Sequence, residues 1–169
     1  MADSTKKLLA GSLRTLMHKR PLSRITVGDI CELSDMNRKS FYYHFHDKYE
    51  LVNWVFRHEL HDAVESSPQQ DALLLLCTCL YNDVGFYRAA LQQTDQNPLC
   101  LCIDEELRPI LAARMPSAVE ADDANVLDLC AHAVRSVIVR WVRGGCPQDE
   151  KAFIHSLYQA CSMLSTVAQ

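Results

Sequence analysis

Hydrophobic residues recur every three or four positions along almost the whole chain, and this spacing predicts helices throughout. The first helix carries Leu9, Leu13 and Met17 on one face. Ser4 is a candidate cap at its start, and Pro21 is expected to end it, because proline cannot continue a helix. The chain therefore opens with an amphipathic helix whose apolar stripe requires a partner.

Three shorter patterns follow, and each begins at a residue suited to capping a helix. Thr26, Asn37 and Asp47 precede apolar positions at helical spacing, so they are predicted N-caps of the second, third and fourth helices. The second and third predicted helices are separated by a tight turn at Asp35 and Met36. Two short helices joined by such a turn are typical of a helix-turn-helix.

The second half of the chain is also predicted to be helical. Helices are expected at Asp71–Asn82, Phe86–Gln93 and Pro98–Ala113, followed by two long amphipathic helices. Pro109 should kink or interrupt its helix, residues 66–70 form a linker, and residues 116–123 form a polar connection. Since there is no alternating strand pattern, the predicted fold is all-α. It comprises an N-terminal three-helix helix-turn-helix domain, residues 1–48, and a helical C-terminal domain, residues 49–169.

Charge is distributed unevenly between the two parts. The 169 residues are 49% hydrophobic and 22% charged, which is an ordinary globular composition. The net charge is −4, but residues 1–61 carry +3 and residues 62–169 carry −7. This asymmetry favours a basic module that meets phosphate, joined to an acidic body that does not.

Several classes of protein are disfavoured. The longest apolar run is too short to cross a membrane, and the N-terminus lacks the pattern of a signal peptide, so a cytoplasmic protein without a membrane partner is expected. The eight cysteines contain no C-x-x-C pair and are interpreted as reduced, buried thiols, with no metal site. Without a Gly-rich phosphate loop, a nucleophile elbow or His-Glu-x-x-His, neither an enzyme nor a cofactor is expected.

The third helix carries the candidate chemistry. Phe41 and Phe45 are expected to face inward. The outward positions are Arg38, Lys39, Ser40, Tyr42, Tyr43 and His44. Basic, hydroxyl and aromatic groups on so short a surface suit phosphate oxygens and base edges. A helical hairpin with a solvated face is the alternative that the pattern leaves open.

The stretch 25–51 resembles the DNA-binding signature of TetR/AcrR (tetracycline-repressor-like) transcriptional regulators. The block Ser40-Phe-Tyr-x-x-Phe45, followed by Asp47-Lys48 and Glu50-Leu51, carries the resemblance. The C-terminal half is similar to the branch of dihydroxyacetone-kinase-operon regulators in the segments 85–91, 104–110 and 140–147.

The resemblance implies roles for particular residues of the head. Thr26 and Asn37 would face phosphate at helix N-termini, Tyr42 would lie against backbone or bases, and Lys48 would anchor a phosphate. The candidate base readers are Arg38, Lys39, Ser40, Tyr43 and His44. Asp35 stands where the family usually has glycine, and aspartate tolerates the left-handed backbone that the turn requires.

The resemblance implies a dimeric, effector-responsive regulator that binds a (pseudo)palindromic double-stranded DNA operator, with residues 49–169 as its regulatory and dimerisation domain. The alternative is a TetR-like co-regulator that acts through protein partners without binding DNA. An unknown small molecule or protein would be the effector. Candidate pocket residues, which also suit a plain core, are Phe56, Cys79, Tyr81, Phe86, Tyr87, Cys102 and Trp141. The homodimer is expected to form through the last two helices, with Leu157, Cys161 and Leu164 at the interface.

Overall fold

The computed structural model describes residues 2–92, 97–114 and 124–167, and within these ranges the chain is helical and has no strand. The prediction of an all-α fold is confirmed. The helices are α1 (Ala2–Met17), α2 (Val27–Leu33), α3 (Arg38–His44), α4 (Lys48–Ser66), α5 (Ala72–Asn82), α6 (Val84–Leu91), α7 (Pro98–Ala112), α8 (Ala124–Arg143) and α9 (Glu150–Val167), with a 3-10 turn at Leu22–Arg24.

The first three helices and the start of α4 form a small unit, called the head below. Its interior is apolar and closed, since Leu9, Leu13, Ile30, Phe41 and Leu51 are fully buried. α1 packs against α2 and α4, and α2 packs against α3. Burial of these side chains is what stabilises helices as short as α2 and α3, because isolated seven-residue helices do not persist in water.

α4 joins the head to the rest of the molecule, called the body below. It begins at Lys48 in the head and runs 19 residues to Ser66, so its two ends lie about 28 Å apart. Beyond the head, its apolar face, with Phe56 and Leu60, packs against α5 and α7. A displacement of the C-terminal end of α4 would therefore also move its N-terminal end in the head, because α4 is one continuous helix.

α7 and α8 pack along each other, and α9 packs on α5. Phe153 and Ile154 are the buried side chains that attach α9 to the body, while Ile138 and Val142 attach α8. Helix α8 ends as predicted at the glycine pair, where Gly145 adopts φ +81°.

Three local predictions need correction. Ser4 lies inside α1 and does not cap it, because the helix already begins at Ala2. α6 begins at Val84, since Asp83 accepts the cap hydrogen bond from the Phe86 N–H. Of the two effects predicted for Pro109, a kink or an interruption, the interruption is wrong, because α7 continues to Ala112.

Pro109 is tolerated because the backbone acceptor that loses its donor belongs to Glu105, and both residues are exposed to water. The end of the predicted Phe86–Gln93 helix and the polar connection 116–123 lie outside the described residues. Among the helices that the structure describes, none is long and apolar enough to cross a membrane.

Candidate nucleic-acid interface

The predicted N-caps of α2, α3 and α4 are confirmed. The Thr26 hydroxyl accepts a hydrogen bond from the Asp29 N–H at 3.1 Å, and the Asp29 carboxylate accepts one from the Thr26 N–H at 2.7 Å. This capping box satisfies two backbone donors at once. Asn37 caps α3 through the Ser40 N–H at 2.7 Å, and Asp47 caps α4.

The cap of α2 is held by charge as well as by hydrogen bonds. The hydrogen bonds from Thr26, together with Arg20 at 2.9 Å, lower the pKa of Asp29 to about 2. A carboxyl with a depressed pKa stabilises the fold above its unfolded pKa and loses that contribution as the pH falls through the folded value. The start of α2 is thus fixed at neutral pH.

The turn between α2 and α3 depends on a left-handed residue. Asp35 adopts φ +53°, and the Met36 N–H donates to the Cys31 carbonyl at 2.9 Å. The prediction that aspartate would support this backbone is confirmed. The turn sets the angle at which α3 leaves α2, and it therefore sets the direction of the exposed α3 face.

We expect Asp35→Val to lower the free energy of unfolding by about 1–2 kcal/mol, because a β-branched residue is strained at positive φ. Asp35→Gly should stay within about 0.5 kcal/mol of the wild type, since glycine adopts this conformation freely but loses more entropy on folding. Urea unfolding of both variants measures the difference. Equal stabilities would show that the turn is not left-handed in solution.

The outward face of α3 is aromatic and basic, as predicted. Tyr42 is 57% exposed and Tyr43 is 83% exposed, and Arg38 and Lys39 are also exposed. The inward face is held by Phe41, whose ring lies 5.8 Å from that of Phe45. Large aromatic side chains left in water on a rigid, capped helix are available to a partner.

Two of the predicted α3 residues are less free. The Ser40 hydroxyl lies 3.9 Å from the Met36 sulfur, and Ser40 is half-buried. The His44 ring is half-buried and packs edge-on against Tyr43 at 4.9 Å. Tyr43, Tyr42, Arg38 and Lys39 are therefore the more accessible contacts on this face.

A residue that sequence reasoning missed, Gly28, shapes the position of Arg38. A Cβ atom on Gly28 would lie 2.7 Å from a guanidinium nitrogen of Arg38, so the absence of a side chain leaves room for that group against the first turn of α2. A glycine inside a helix destabilises the helix by about 1 kcal/mol relative to alanine. A glycine within the predicted second helix is therefore unusual, and this could have indicated that Gly28 has a particular role.

Lys48 does not point away from the head. Its ammonium donates to the carbonyl oxygens of Ile25 at 2.7 Å, Leu22 at 2.8 Å and Ser23 at 3.3 Å. Burial lowers its pKa. All three ammonium protons are directed at the loop between α1 and α2, and the predicted contact of Lys48 with phosphate would require the ammonium group to leave these carbonyls.

Lys19 and Arg24, in the same loop, are exposed cations that the sequence pattern did not single out.

The seven predicted pocket residues fall into separate groups. The rings of Phe56 and Phe86 lie 6.0 and 5.1 Å from that of Tyr87, and all three are buried. Tyr81 and Trp141 stack at 6.1 Å in a separate cluster. Cys79 and Cys102 are buried thiols. Phe56, Phe86 and Tyr87 pack against one another in the core of the body. Cys79 lines a cavity of about 300 Å³ together with Glu59 and Asp83.

A cavity of about 630 Å³ lies elsewhere, where the end of α4 meets the start of α5 and the end of α7. Leu60, Val64 and Ile110 contribute to its apolar lining, and Glu65 and Glu106 lie among its polar residues. Sequence periodicity could not identify it, because the lining comes from the ends of three helices that are distant along the chain. We call it the α4–α5–α7 cavity.

Both of the last two helices leave large apolar side chains exposed, including Met163 on α9, which is 67% exposed. On α8, Leu129 is 69% exposed and Val126 is 40% exposed, and Cys130 is also exposed. On α9, Leu157 is half-buried against the core, whereas Cys161 is exposed. The side chain of Leu164 lies outside the described residues.

The prediction of buried thiols is confirmed for Cys31, Cys77, Cys79, Cys100 and Cys102. It is wrong for Cys130 and Cys161, which are exposed. Burial raises the pKa of Cys79 to about 11 and that of Cys102 to about 12, so both remain protonated at neutral pH. Within the described ranges, no three His, Cys, Asp or Glu side chains are grouped as metal ligands.

Comparison with known proteins places this geometry in a class. The family model described as "Bacterial regulatory proteins, tetR family" matches residues 12–55, which include α2, the turn and α3. The head thus contains a helix-turn-helix that is similar to the one in this family. The match is confined to the head and the first part of α4, and over these residues the chain is similar to tetR-family regulators.

Two curated relatives agree with this assignment. One is the transcriptional activator DhaS of the dhaKLM operon from Lactococcus lactis subsp. lactis (strain IL1403), 28% identical over 88 residues, or 50% of this chain and 47% of DhaS. The other is the regulator TtgR from Pseudomonas putida, 35% identical over 78 residues, or 43% of this chain and 37% of TtgR. The alignments therefore span less than half of each relative.

Solved structures show the same fold over nearly the whole chain. The dihydroxyacetone kinase operon activator DhaS covers 96% of this chain and 97% of its own, with a TM-score of 0.64 and 19% identity. The TetR family repressor AlkX from Dietzia sp. strain DQ12-45-1b covers 93% of this chain and 95% of its own, with a TM-score of 0.57 and 18% identity. The fold of this chain is thus similar to the folds of these two structures.

Proposed function

We propose that this protein is a dimeric transcriptional regulator that binds a (pseudo)palindromic DNA operator and responds to an effector. The exposed face of α3 supports this proposal most directly, because Tyr42, Tyr43, Arg38 and Lys39 project from a helix that is capped and anchored on its other side. A helix of this kind fits the major groove, which admits an α-helix and presents distinct donor and acceptor patterns.

The proposed roles of the head residues follow from their surroundings. The exposed side chains of α3 would contact base edges and phosphates, and the N-termini of α2 and α3, capped by Thr26 and Asn37, would lie near phosphate oxygens. Lys48 would act indirectly, because its three hydrogen bonds hold the loop between α1 and α2. Ser40 and His44, being half-buried, would make secondary contacts.

The proposed dimer forms through α8 and α9. The exposed Val126, Leu129 and Cys130 of α8, together with Cys161 of α9, make an apolar surface that a second copy would cover. Two helices from each copy would form a four-helix bundle around a two-fold axis. A two-fold dimer presents two heads, which suits an operator with two related half-sites.

We propose the α4–α5–α7 cavity as the effector site. α4 connects it to the head, and Arg14 of α1 pairs with Glu59 of α4 and with Asp83, 2.9 Å away, before α6. A ligand that favours one position of α4 would change the spacing of the two heads and shift the population that fits DNA. The relatives similar to this chain are named as a transcriptional activator and a transcriptional regulator, which supports a non-catalytic role.

A mobility-shift titration with the DNA upstream of the protein's own gene tests the proposal. We expect a discrete complex at protein concentrations at which a scrambled duplex of equal length and composition stays unbound. Equal binding of both duplexes, or binding of neither, would overturn operator recognition and favour a co-regulator that acts through protein partners.

The substitutions Arg38→Ala and Lys39→Ala should affect DNA binding in different ways. If Arg38 reads a guanine, Arg38→Ala costs about 1–3 kcal/mol on the operator and relaxes the preference at one base position per half-site. Lys39→Ala should weaken binding to operator and scrambled DNA equally and flatten the slope of log K against log salt by about one unit per half-site. Identical behaviour of the two variants would show that Arg38 is another phosphate contact.

A further inference from the structure

The α4–α5–α7 cavity combines an apolar interior with an electronegative edge. Leu60, Val64, Ala72 and Ile110 supply apolar walls to a space of about 630 Å³. This volume is within the range of pockets that enclose drug-sized organic molecules. A small hydrated ion would find few partners on such walls, whereas a ligand with an apolar body would bury surface there.

Carboxylates outnumber cations around the cavity. Three of its described lining residues are acidic, namely Glu65, Asp71 and Glu106, and one is a guanidinium, Arg114. Arg114 is neutralised within the cavity wall, because it forms an ion pair with Asp71 and donates to the Ile110 carbonyl at 3.1 Å. No guanidinium or ammonium of the described lining is therefore left for an anionic ligand.

The other two carboxylates differ in their partners. Glu106 accepts a hydrogen bond from Arg57 at 3.1 Å, and His61 lies 3.5 Å from its second oxygen. Glu65 is exposed at the end of α4, and within the described part of the chain no ion pair or hydrogen bond to its side chain is found. Glu65 thus places an uncompensated negative charge beside the apolar wall formed by Val64.

The C-terminal ends of two helices add to the negative electrostatic potential at the cavity. α4 ends at Ser66 and α7 ends at Ala112, and residues of both final turns line the cavity. The C-terminus of a helix carries a partial negative charge, so both ends favour cations. The start of α5 also faces this space, but its positive end is capped by the carboxylate of Asp71.

We propose that the α4–α5–α7 cavity binds organic cations that have an apolar body, such as quaternary phosphonium or ammonium compounds and protonated lipophilic amines. The apolar part would occupy the walls, and the charge would lie near Glu65. This inference rests on the proposed function in that it names the chemical class of effector for the proposed effector site.

Isothermal titration calorimetry on the full chain, with a matched pair of ligands, tests the inference. Tetraphenylphosphonium and tetraphenylborate have the same four-phenyl shape and opposite charges, so their difference isolates the sign of the charge. We expect the dissociation constant of the phosphonium to be at least tenfold lower than that of the borate. Equal binding, preference for the borate, or binding of neither would overturn the inference.

Two charge variants test whether Glu65 is responsible for the preference for the phosphonium. Glu65→Gln should weaken phosphonium binding about twofold to fivefold, the range expected for an exposed ionic contact, with borate binding unchanged or improved. Glu105→Gln, the matched control, changes the net charge equally on an exposed residue that pairs with Arg57 and is not part of the described lining. Equal losses in both variants would attribute the preference to net charge and overturn the role of Glu65.

Failure here is distinguishable from failure of the proposed function. Calorimetry is done without DNA, and the mobility shift is done without ligand. If the protein binds the operator but not the phosphonium, only the inference about the effector is overturned. If it binds the phosphonium but not the operator, only the proposed function as a DNA-binding regulator is overturned.

Discussion

Leu129→Glu should convert the protein to a monomer and lower its operator affinity at least 100-fold. Leu129 is 69% exposed on α8, and a second copy placed on this surface would bury it. A buried carboxylate without a partner is strongly unfavourable, so the dimer would not form. Because two linked heads gain about 10² to 10⁴ in affinity from binding one DNA together, a monomer loses that gain. Sedimentation velocity and fluorescence anisotropy measure the two effects.

Leu101→Glu is the matched control for this substitution. Leu101 is 60% exposed on α7, outside the proposed α8–α9 surface, and should tolerate the charge. Leu157 is a less clean site, since it is half-buried against the protomer's own core and its substitution would also disturb the packing of α9. Dimers that persist in Leu129→Glu, or monomers that appear in Leu101→Glu, would exclude the α8–α9 interface.

Lys48→Met should lower the free energy of unfolding by about 2 kcal/mol and weaken operator binding without changing its salt dependence. The substitution removes the donors from three converging carbonyl oxygens, and hydrogen bonds from charged groups contribute about 1.5–3 kcal/mol. Lys48→Arg should not restore stability, because a planar guanidinium does not match three donors spread around one nitrogen. Urea unfolding and a salt series of operator affinities measure both quantities.

Lys39→Ala gives the contrasting behaviour, since Lys39 is exposed on α3 and its loss should flatten the salt slope. If Lys48→Met were instead as stable as the wild type and flattened the slope by about one unit per half-site, Lys48 would be the phosphate anchor that the sequence resemblance implied. The two lysines therefore separate direct contact with DNA from support of the head.

The local features of the head could be predicted from sequence because their causes are local. Thr26 and Asn37 cap helices through N–H groups three residues away, and Asp35 supports its turn by its own backbone conformation. Lys48 could not be predicted in the same way. The carbonyl oxygens that accept its hydrogen bonds lie 23 to 26 residues earlier in the chain. The sequence around Lys48 does not indicate that the loop between α1 and α2 lies next to it in the folded protein.

The body was harder to predict because a buried aromatic residue and a pocket residue have the same sequence pattern. Phe86 and Tyr87 have helical spacing whether they line a space or fill it, and the structure places them in ring contact at 5.1 Å. The α4–α5–α7 cavity depends on how helix ends meet, as with Leu60 and Ile110, whose proximity is a tertiary effect. Pro109 shows the same limit, since exposure of its acceptor decides whether the helix continues.

The most direct test of the account is the operator affinity of the double variant Tyr42→Ala/Tyr43→Ala, measured by fluorescence anisotropy beside the wild type. Both rings are exposed on α3, so their removal should leave the protein folded and its sedimentation coefficient unchanged. We expect operator affinity to fall at least 100-fold, about 2.7 kcal/mol or more, because each half-site loses two contacts. Wild-type affinity in a folded double variant would contradict the account, since α3 would then not be the element that reads DNA.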